Sequence, residues 1–472
     1  MKILLTAAGS YGDVAPYTGI GAALVAAGHD VAIATHDGFA PLVRAAGTEF
    51  RRLPADPGRA GGSGRGGRAL MRAAAAFAGE LGAGMADAVA PDTELLLLSA
   101  TTAPLGRHLR EAYGIPALDV PLHPTAPTRE FAPVVAGGRH LGGWGNRLAG
   151  RLAPRVVDRL YADAARALRA RLGLPPAAPG TVRRRAEALR PRVLHGFSEA
   201  LLPRPADWRP GLDVVGNWWP WHAPDAQLPQ VIREFLDDGP PPVFVGFGSM
   251  AAGEGERLGD LAVRALRRAG LRGILQSGTA GLTAPVTGIR HEPAVLPPRP
   301  ARTAGPDTPA GTGSRSAAPD DSRTGAPSPE GAAVPRTGTH ATTGPLAHAS
   351  SDVLTIGEVP HALLFPRTAA VVHHAGAGTS AAALRAGVPS VPVPVTADQP
   401  FWARRLAALG AATPPIPFAG LAADDAAGQL AAALTRATTE PSYRARAADA
   451  AHRMAAEDGI AAVVCAVARL AG

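Results

Sequence analysis

Residues 371–402 read VVHHAGAGTSAAALRAGVPSVPVPVTADQPFW. The apolar run Ala369 to Val372 reads as a buried strand, and His373-His374 follow it directly. Small residues then lead into an Ala/Leu segment of helical character that ends near Gly387. Ser390 to Val395 is strand-like, and a loop carries Asp398-Gln399-Pro400. A strand, a glycine-rich turn and a helix make an anion site, because glycine lets backbone approach closely and the first helical N–H groups face negative charge. Thr379 and Ser380 are placed to cap the helix or to add hydroxyl donors, and the imidazole of His374 stands where it can donate to a diphosphate. Gly-x-Gly alone does not separate this from an ordinary strand–helix turn with a capping Thr. The Asp-Gln-Pro after the next strand tips the balance toward the anion site.

The stretch resembles the signature of the two-Rossmann-domain (GT-B) nucleotide-sugar glycosyltransferases, closest to the bacterial natural-product and sterol glucosyltransferases. Their pattern is here HHAGAGT, LRAGVP and ADQPFWA, with Ala375 in place of the first glycine. The resemblance implies that His374, Gly376, Gly378 and Thr379 hold the donor diphosphate, and that Asp398 and Gln399 hydrogen-bond the sugar hydroxyls.

Composition sets bounds. At 472 residues, two domains are expected. Lys2 is the only lysine among 47 basic residues, so arginine clusters reflect composition before function. The net charge of +8 suits an acidic ligand such as a nucleotide diphosphate, or the surface of an anionic membrane. Scattered arginines without interleaved aromatics argue against nucleic acid. The lone Cys465 allows no intramolecular disulfide and fits a reducing cytoplasm. MKILLTAAGS breaks at Gly9 too early for a signal peptide, and no run reaches the roughly 20 apolar residues of a membrane span. A cytoplasmic protein is the expectation.

The chain opens with a βαβ pattern: a strand from Lys2 to Ala8, a helix ended by Gly28, and a strand from Asp30 to Thr35. Asp37 invites a dinucleotide reading, but the turn holds only Gly9 and Gly12 and places Asp13 where a pyrophosphate needs bare backbone. In the resembled family this turn carries the acidic or imidazole group that takes the proton from the acceptor hydroxyl. Asp13 is therefore the candidate general base. A carboxylate is ionised at neutral pH but is a weak base unless its pocket strengthens it, and capping of the following helix is the alternative. Further strands are expected at Leu95 to Ser99, Ile115 to Val120 and Arg192 to Gly196. The Pro/Gly/His-rich stretch from Pro121 to Trp144 falls where the family walls its acceptor pocket. Helical, arginine-rich segments from about Asn146 to Arg171 read as solvated faces. Trp218, Trp219 and Trp221 suggest packing at a domain junction, with acceptor stacking as the alternative.

Val243 to Met250 is a strand running into a turn and matches the family's FGSM motif; Gly248 and Ser249 suit contact with donor phosphate or sugar. A helix from Leu258 to Ala269 and a strand from Arg272 to Gln276 follow. Thr279 stands where relatives carry a tryptophan near the nucleotide. From Ala284 to Ser351, Pro, Thr, Gly, Ala and Ser dominate, a composition expected to be disordered because it cannot offset its ordering entropy. Order resumes at a strand, Val353 to Ile356, and the resemblance places Val359 and His361 at the nucleotide base, with helix capping as the alternative for His361.

The expected architecture is two Rossmann-like α/β domains facing a cleft, with a disordered insertion in the second. The acceptor domain spans 1–220, a linker 221–241 and the donor domain 242–455, the insertion covering 284–351. A last helix within 456–472 crosses back to the first domain. The expected activity is inverting transfer of a hexose from UDP-glucose or a dTDP-deoxysugar to a hydroxyl of a hydrophobic acceptor such as a polyketide or sterol. Asp13 acts as base, with no cofactor, no metal and no obligate protein partner. A catalytically silent protein of the same fold is the alternative: the missing Trp and Ala375 favour it, and Asp13 with Asp398-Gln399 oppose it.

Overall fold

The structure, a computed structural model, describes residues 1–54, 67–137, 140–248, 253–278, 281–284 and 352–471. The insertion expected at 284–351, apart from Ala284, lies outside the described residues, as do Ser249 and Thr279. Ala284 belongs to the folded body: its amide donates to Thr355 Oγ1 at 3.1 Å.

Two parallel sheets organise the chain. The first joins β1 (Lys2–Thr6), β2 (Asp30–Thr35), β3 (Glu49–Arg52), β4 (Leu95–Leu98), β5 (Ala117–Asp119), β6 (Val193–His195) and β7 (Leu212–Val214) in the order 3-2-1-4-5-6-7. The second joins β8 (Val243–Gly246), β9 (Gly273–Gln276), β10 (Val353–Ile356), β11 (Ala370–His373) and β12 (Ser390–Pro392) in the order 10-9-8-11-12. Registers are regular, with Ile3 beside both Val31 and Leu95, and Val372 beside both Val245 and Val391. Continuous apolar runs such as LLLL in β4 are what parallel strands covered on both faces require, and all four leucines are buried.

The covering helices of the first half are α1 (Tyr11–Ala26), α2 (Ala40–Ala45), α3 (Gly67–Ala88), α4 (Ala103–Tyr113), α5 (Gly142–Leu160), α6 (Ala162–Arg171) and α7 (Pro179–Ala188). Those of the second half are α8 (Gln230–Asp237), α9 (Gly255–Arg268), α10 (His361–Leu364), α11 (Ala377–Arg385), α12 (Gln399–Ala408), α13 (Ala426–Thr439), α14 (Pro441–Ala455) and α15 (Gly459–Ala471). One face of the first sheet packs Tyr17, Ile20 and Leu24 of α1 with Val463 and Val467 of α15. The other packs Leu81 and Met85 of α3, Leu109 of α4 and Leu168 of α6. In the second sheet, α9 and α13 cover one face and α8, α10 and α11 the other. Both sheets lie in one compact body.

The junction is built from aromatic and small residues. Trp218 is buried on Tyr17 and donates its indole N–H to Gly459 O at 3.0 Å. A Cβ at Gly196 would come within 2.4 Å of the Trp218 ring, so glycine is what admits the indole. Arg385 of α11 lies over Trp219 at 4.4 Å. Trp218 and Trp219 therefore pack the junction. The helical, arginine-rich segments expected from about Asn146 to Arg171 are two helices, α5 and α6, that meet at Tyr161, whose hydroxyl donates to Thr101 O at 2.9 Å. Strands β3 and β7 and helix α7 carry no sequence signal strong enough to expect them. The first two are short edge strands, and β3 reads EFRR with no alternating apolar face.

Candidate active site

In an open parallel sheet, ligands lie beyond the carboxyl ends of the strands at the point where strand order reverses. That point falls between β1 and β4 in the first sheet and between β8 and β11 in the second. The turn after β1 carries Asp13. The turns after β8 and β11 carry Gly248 and His374.

Around His374 the backbone is shaped to one ring. A Cβ at Gly376 would meet His374 Nε2 at 2.5 Å, and one at Gly248 would meet its Cε1 at 3.3 Å. Both positions need the missing side chain, and Gly248 also sits at φ +56°. The Nδ1 atom of His374 is buried without a hydrogen-bond partner among the described residues. Burial holds the His374 imidazole at a pKa of about 4, so it is neutral at pH 7. His373, one residue earlier, points into the core and accepts the Ala375 amide on Nδ1 at 3.1 Å, so its proton sits on Nε2. Burial first, then the neighbouring His374 and His361, lower His373 to about 3.

Gly376 is the N-cap of α11, so the free first-turn amides belong to Ala377, Gly378 and Thr379. This corrects the expectation that Thr379 or Ser380 caps the helix. Thr379 is the third helical residue, and the Ser380 hydroxyl is buried with no partner among the described residues. Ala375, fully buried, adopts φ +62°, and Ala397 in the loop after β12 adopts φ +55°. Left-handed alanine costs roughly 1–2 kcal/mol. Two of the three described non-glycine residues with positive φ thus flank this one site, where strain commonly collects.

Asp398 occupies the N-cap of α12 and accepts the Trp402 indole N–H on Oδ2 at 2.8 Å. Burial raises its pKa, while His123 and the Trp402 bond oppose the rise. Gln399 is buried, and its carbonyl oxygen accepts the Val395 and Thr396 amides at 2.9 and 3.1 Å. Its oxygen therefore braces the loop, and its NH₂ group is what remains for a sugar. Val359 is half-buried against the core under α10. His361 does not cap that helix, whose N-cap is Pro360; its ring stacks on Phe365 at 4.3 Å and meets Phe244 edge-on. Burial lowers His361 to about 4.

Asp13 is the third residue of α1. Its Oδ2 accepts both the amide and the hydroxyl of Ser10 at 2.8 Å, which is half of a capping box. No bond falls on Oδ1 among the described residues, so the bonds to Ser10 leave one oxygen of the carboxylate uncommitted. Gly9 makes room for it: a Cβ there would come within 2.5 Å of Oδ2. One turn along α1, Tyr17 donates to Val120 O at 2.6 Å, which draws the segment after β5 against the Asp13 end of the helix. That segment brings in His123, a residue that sequence reasoning left unassigned within the acceptor wall. Burial lowers its pKa, and the charges of Asp398 and Asp13 oppose the drop. Asp13, His123 and Asp398 thus lie within reach of one another's fields, two from the first half of the chain and one from the second.

Two Rossmann-like parallel sheets in one body, each with an order-reversal crevice at the carboxyl ends of its strands, are the architecture of the GT-B class of glycosyltransferases. Sequence comparison agrees. Residues 3–88 match the glycosyltransferase family 28 N-terminal domain, and residues 339–470 match the erythromycin biosynthesis protein CIII-like C-terminal domain. The chain is 32% identical to the O-mycaminosyltylonolide 6-deoxyallosyltransferase of Streptomyces fradiae, over 98% of this chain and 95% of that protein. It is 29% identical to a sterol 3-beta-glucosyltransferase of Arabidopsis thaliana over 88% of this chain, spanning 58% of that longer protein. Its fold is that of the glycotransferase of kitacinnamycin (TM-score 0.63, 18% identity, 99% and 98% of the two chains). It also matches VinC, solved with dTDP (TM-score 0.61, 18% identity, 100% and 99%). The chain belongs to the nucleotide-sugar-dependent glycosyltransferases of the natural-product and sterol glucosyltransferase kind.

Proposed function

We propose that the protein transfers a hexose, with inversion, from UDP-glucose or a dTDP-deoxysugar to a hydroxyl of a hydrophobic aglycone of the macrolide or sterol class. The observation that carries this is that Asp13, from the turn after β1, and Asp398, at the head of α12, both act electrostatically on His123, while the loop of Asp398 and the turn of His374 leave the carboxyl ends of the paired strands β12 and β11. Asp13 Oδ1 takes the acceptor proton as the hydroxyl oxygen attacks the anomeric carbon from the face opposite the diphosphate. Charge then grows on the leaving diphosphate. The first-turn amides of α11 and the His374 imidazole meet that charge with dipoles already in place. Asp398 and the Gln399 NH₂ orient the sugar, and Val359 and His361 border the nucleotide base. Ser249, in the FGSM turn, is assigned to the donor phosphate on resemblance alone.

The relatives named for macrolide and sterol acceptors support the acceptor class, and the dTDP-bound fold neighbour supports the donor class. With α11 and His374 supplying the positive potential, transfer is expected to proceed without an added metal or cofactor and to survive chelation by EDTA. Among the described residues no helix is long and apolar enough to cross a membrane, and the cytoplasm is the proposed location. The test is a panel of UDP- and dTDP-sugars against macrolide and sterol aglycones, with products separated by chromatography and the anomer assigned by NMR. Failure to turn over or hydrolyse any donor, with the protein folded, would favour the catalytically silent alternative.

A further inference from the structure

The outer face of α5 has no partner among the described residues. Trp144, Leu148, Leu152 and Val156 follow at four-residue spacing, which sets them in one row, and all are exposed, Trp144 to 79% and Val156 to 59%. Arg151, Arg155 and Arg159 form the adjoining row and are exposed too. None of these three has a carboxylate partner among the described residues. The nearby acids are taken: Asp158 pairs with Arg183 at 3.0 Å and Asp163 with Arg166 at 2.9 Å. The inner face is fixed. Asn146 is buried, donates to Arg129 O and accepts the Leu141 amide, each at 2.9 Å. Gly150 lies so close to Pro127 that a Cβ would come within 2.9 Å of its Cα.

Simple solvation of the face, expected for these arginines from sequence alone, does not account for an exposed tryptophan and three aliphatic residues in register. A contiguous apolar row bordered by unpaired guanidinium groups is complementary to one kind of surface, an apolar layer beneath anionic headgroups. We propose that α5 docks the enzyme on an anionic lipid surface, with the Trp144–Val156 row in the interfacial layer and Arg151, Arg155 and Arg159 on lipid phosphates. The docking rests on this face alone. A consequence rests on the proposed function: a hydrophobic acceptor partitions into the same layer, beside the Pro127–Phe131 segment that α5 packs against.

The full-length protein is sedimented with vesicles of phosphatidylcholine mixed with phosphatidylglycerol, and with phosphatidylcholine alone. The expected result is binding to the mixed vesicles that weakens as salt is raised. Each basic group near an anionic surface is worth about fivefold, so R151Q/R155Q/R159Q should bind about a hundredfold more weakly. L148Q/L152Q should also lose binding. Both variants should turn over water-soluble donor and acceptor like the parent, which reports an intact fold independently of lipid. The proposal is overturned if the parent ignores the mixed vesicles at low salt, or if binding is the same with and without the three arginines. It is equally overturned if, without lipid, the parent forms a concentration-dependent dimer that L148Q/L152Q abolishes, which would assign the face to a second copy. Should a variant misfold, the salt dependence of the parent still decides.

Discussion

Asp13→Asn isolates the proton transfer proposed for Asp13. The two bonds from Ser10 fall on one carboxylate oxygen, at 2.8 Å each, and asparagine keeps an oxygen able to accept them. What is lost is the carboxylate's charge on those two bonds and its interaction with the helix dipole, the latter about 0.3–1 kcal/mol. The melting midpoint should move little. Catalysis should not be spared, because the amide has no lone pair basic enough to take the acceptor proton from Oδ1's position. General-base catalysis is worth about 10²–10⁴-fold, or about 3–5 kcal/mol of barrier, and turnover should fall by that factor. Donor affinity should be unchanged, since the cradle after β11 belongs to the other sheet. The assay measures kcat with saturating donor, with nucleoside diphosphate binding by calorimetry on the same samples. Asp13→Ala, which removes base and capping oxygen together, should lose both turnover and some stability. Transfer within a few-fold of the parent in the Asn variant would refute the assignment of Asp13 as base.

His374→Ala should raise the apparent donor dissociation constant by roughly ten- to a hundredfold, the worth of a charge-assisted bond to phosphate, with little change in melting because the ring's Nδ1 has no partner to lose; unchanged donor kinetics would mean that the ring only packs. Ala375→Gly relieves left-handed strain of roughly 1–2 kcal/mol against an entropic cost of about 0.4–1 kcal/mol, so chemical denaturation should show a gain of up to about 1.6 kcal/mol, and a loss would count against the strained turn. His373 is held at about 3 by burial, so it stays neutral when folded while the unfolded chain takes up a proton near 6.5. Its contribution to stability is present above about 6.5 and is lost as pH falls through that window toward 3, on the order of 1.4 kcal/mol per pH unit. The stability difference between the parent and His373→Asn, measured by denaturation from pH 7 to pH 5, should therefore shift toward the variant as pH falls; a flat difference would contradict a buried neutral His373.

Much of the protein is legible along the chain because its signals are local. The apolar runs at β1, β2, β8 and β10, the helix stop at Gly28 and the small residues at 375–379 are patterns of period and backbone freedom within a few residues. They are enough to expect two α/β domains and to propose an anion site at His374. Strand order is not local, and it alone puts the reversal between β1 and β4 and between β8 and β11, hence Asp13 and His374 at the two crevices. His123 gives no sequence signal, because its importance lies in the fields of Asp13 and Asp398, far away in the chain. Capping is decided by where the helix begins: Gly376, not Thr379, came to rest in the extended conformation before α11. The arginines of α5 look in sequence like any solvated face, since spacing shows that residues share a side but not whether that side is covered. Whether a row is buried or bare is set by what the rest of the chain packs against it. Here Asn146 and Gly150 hold the helix by its other face and leave the tryptophan row open.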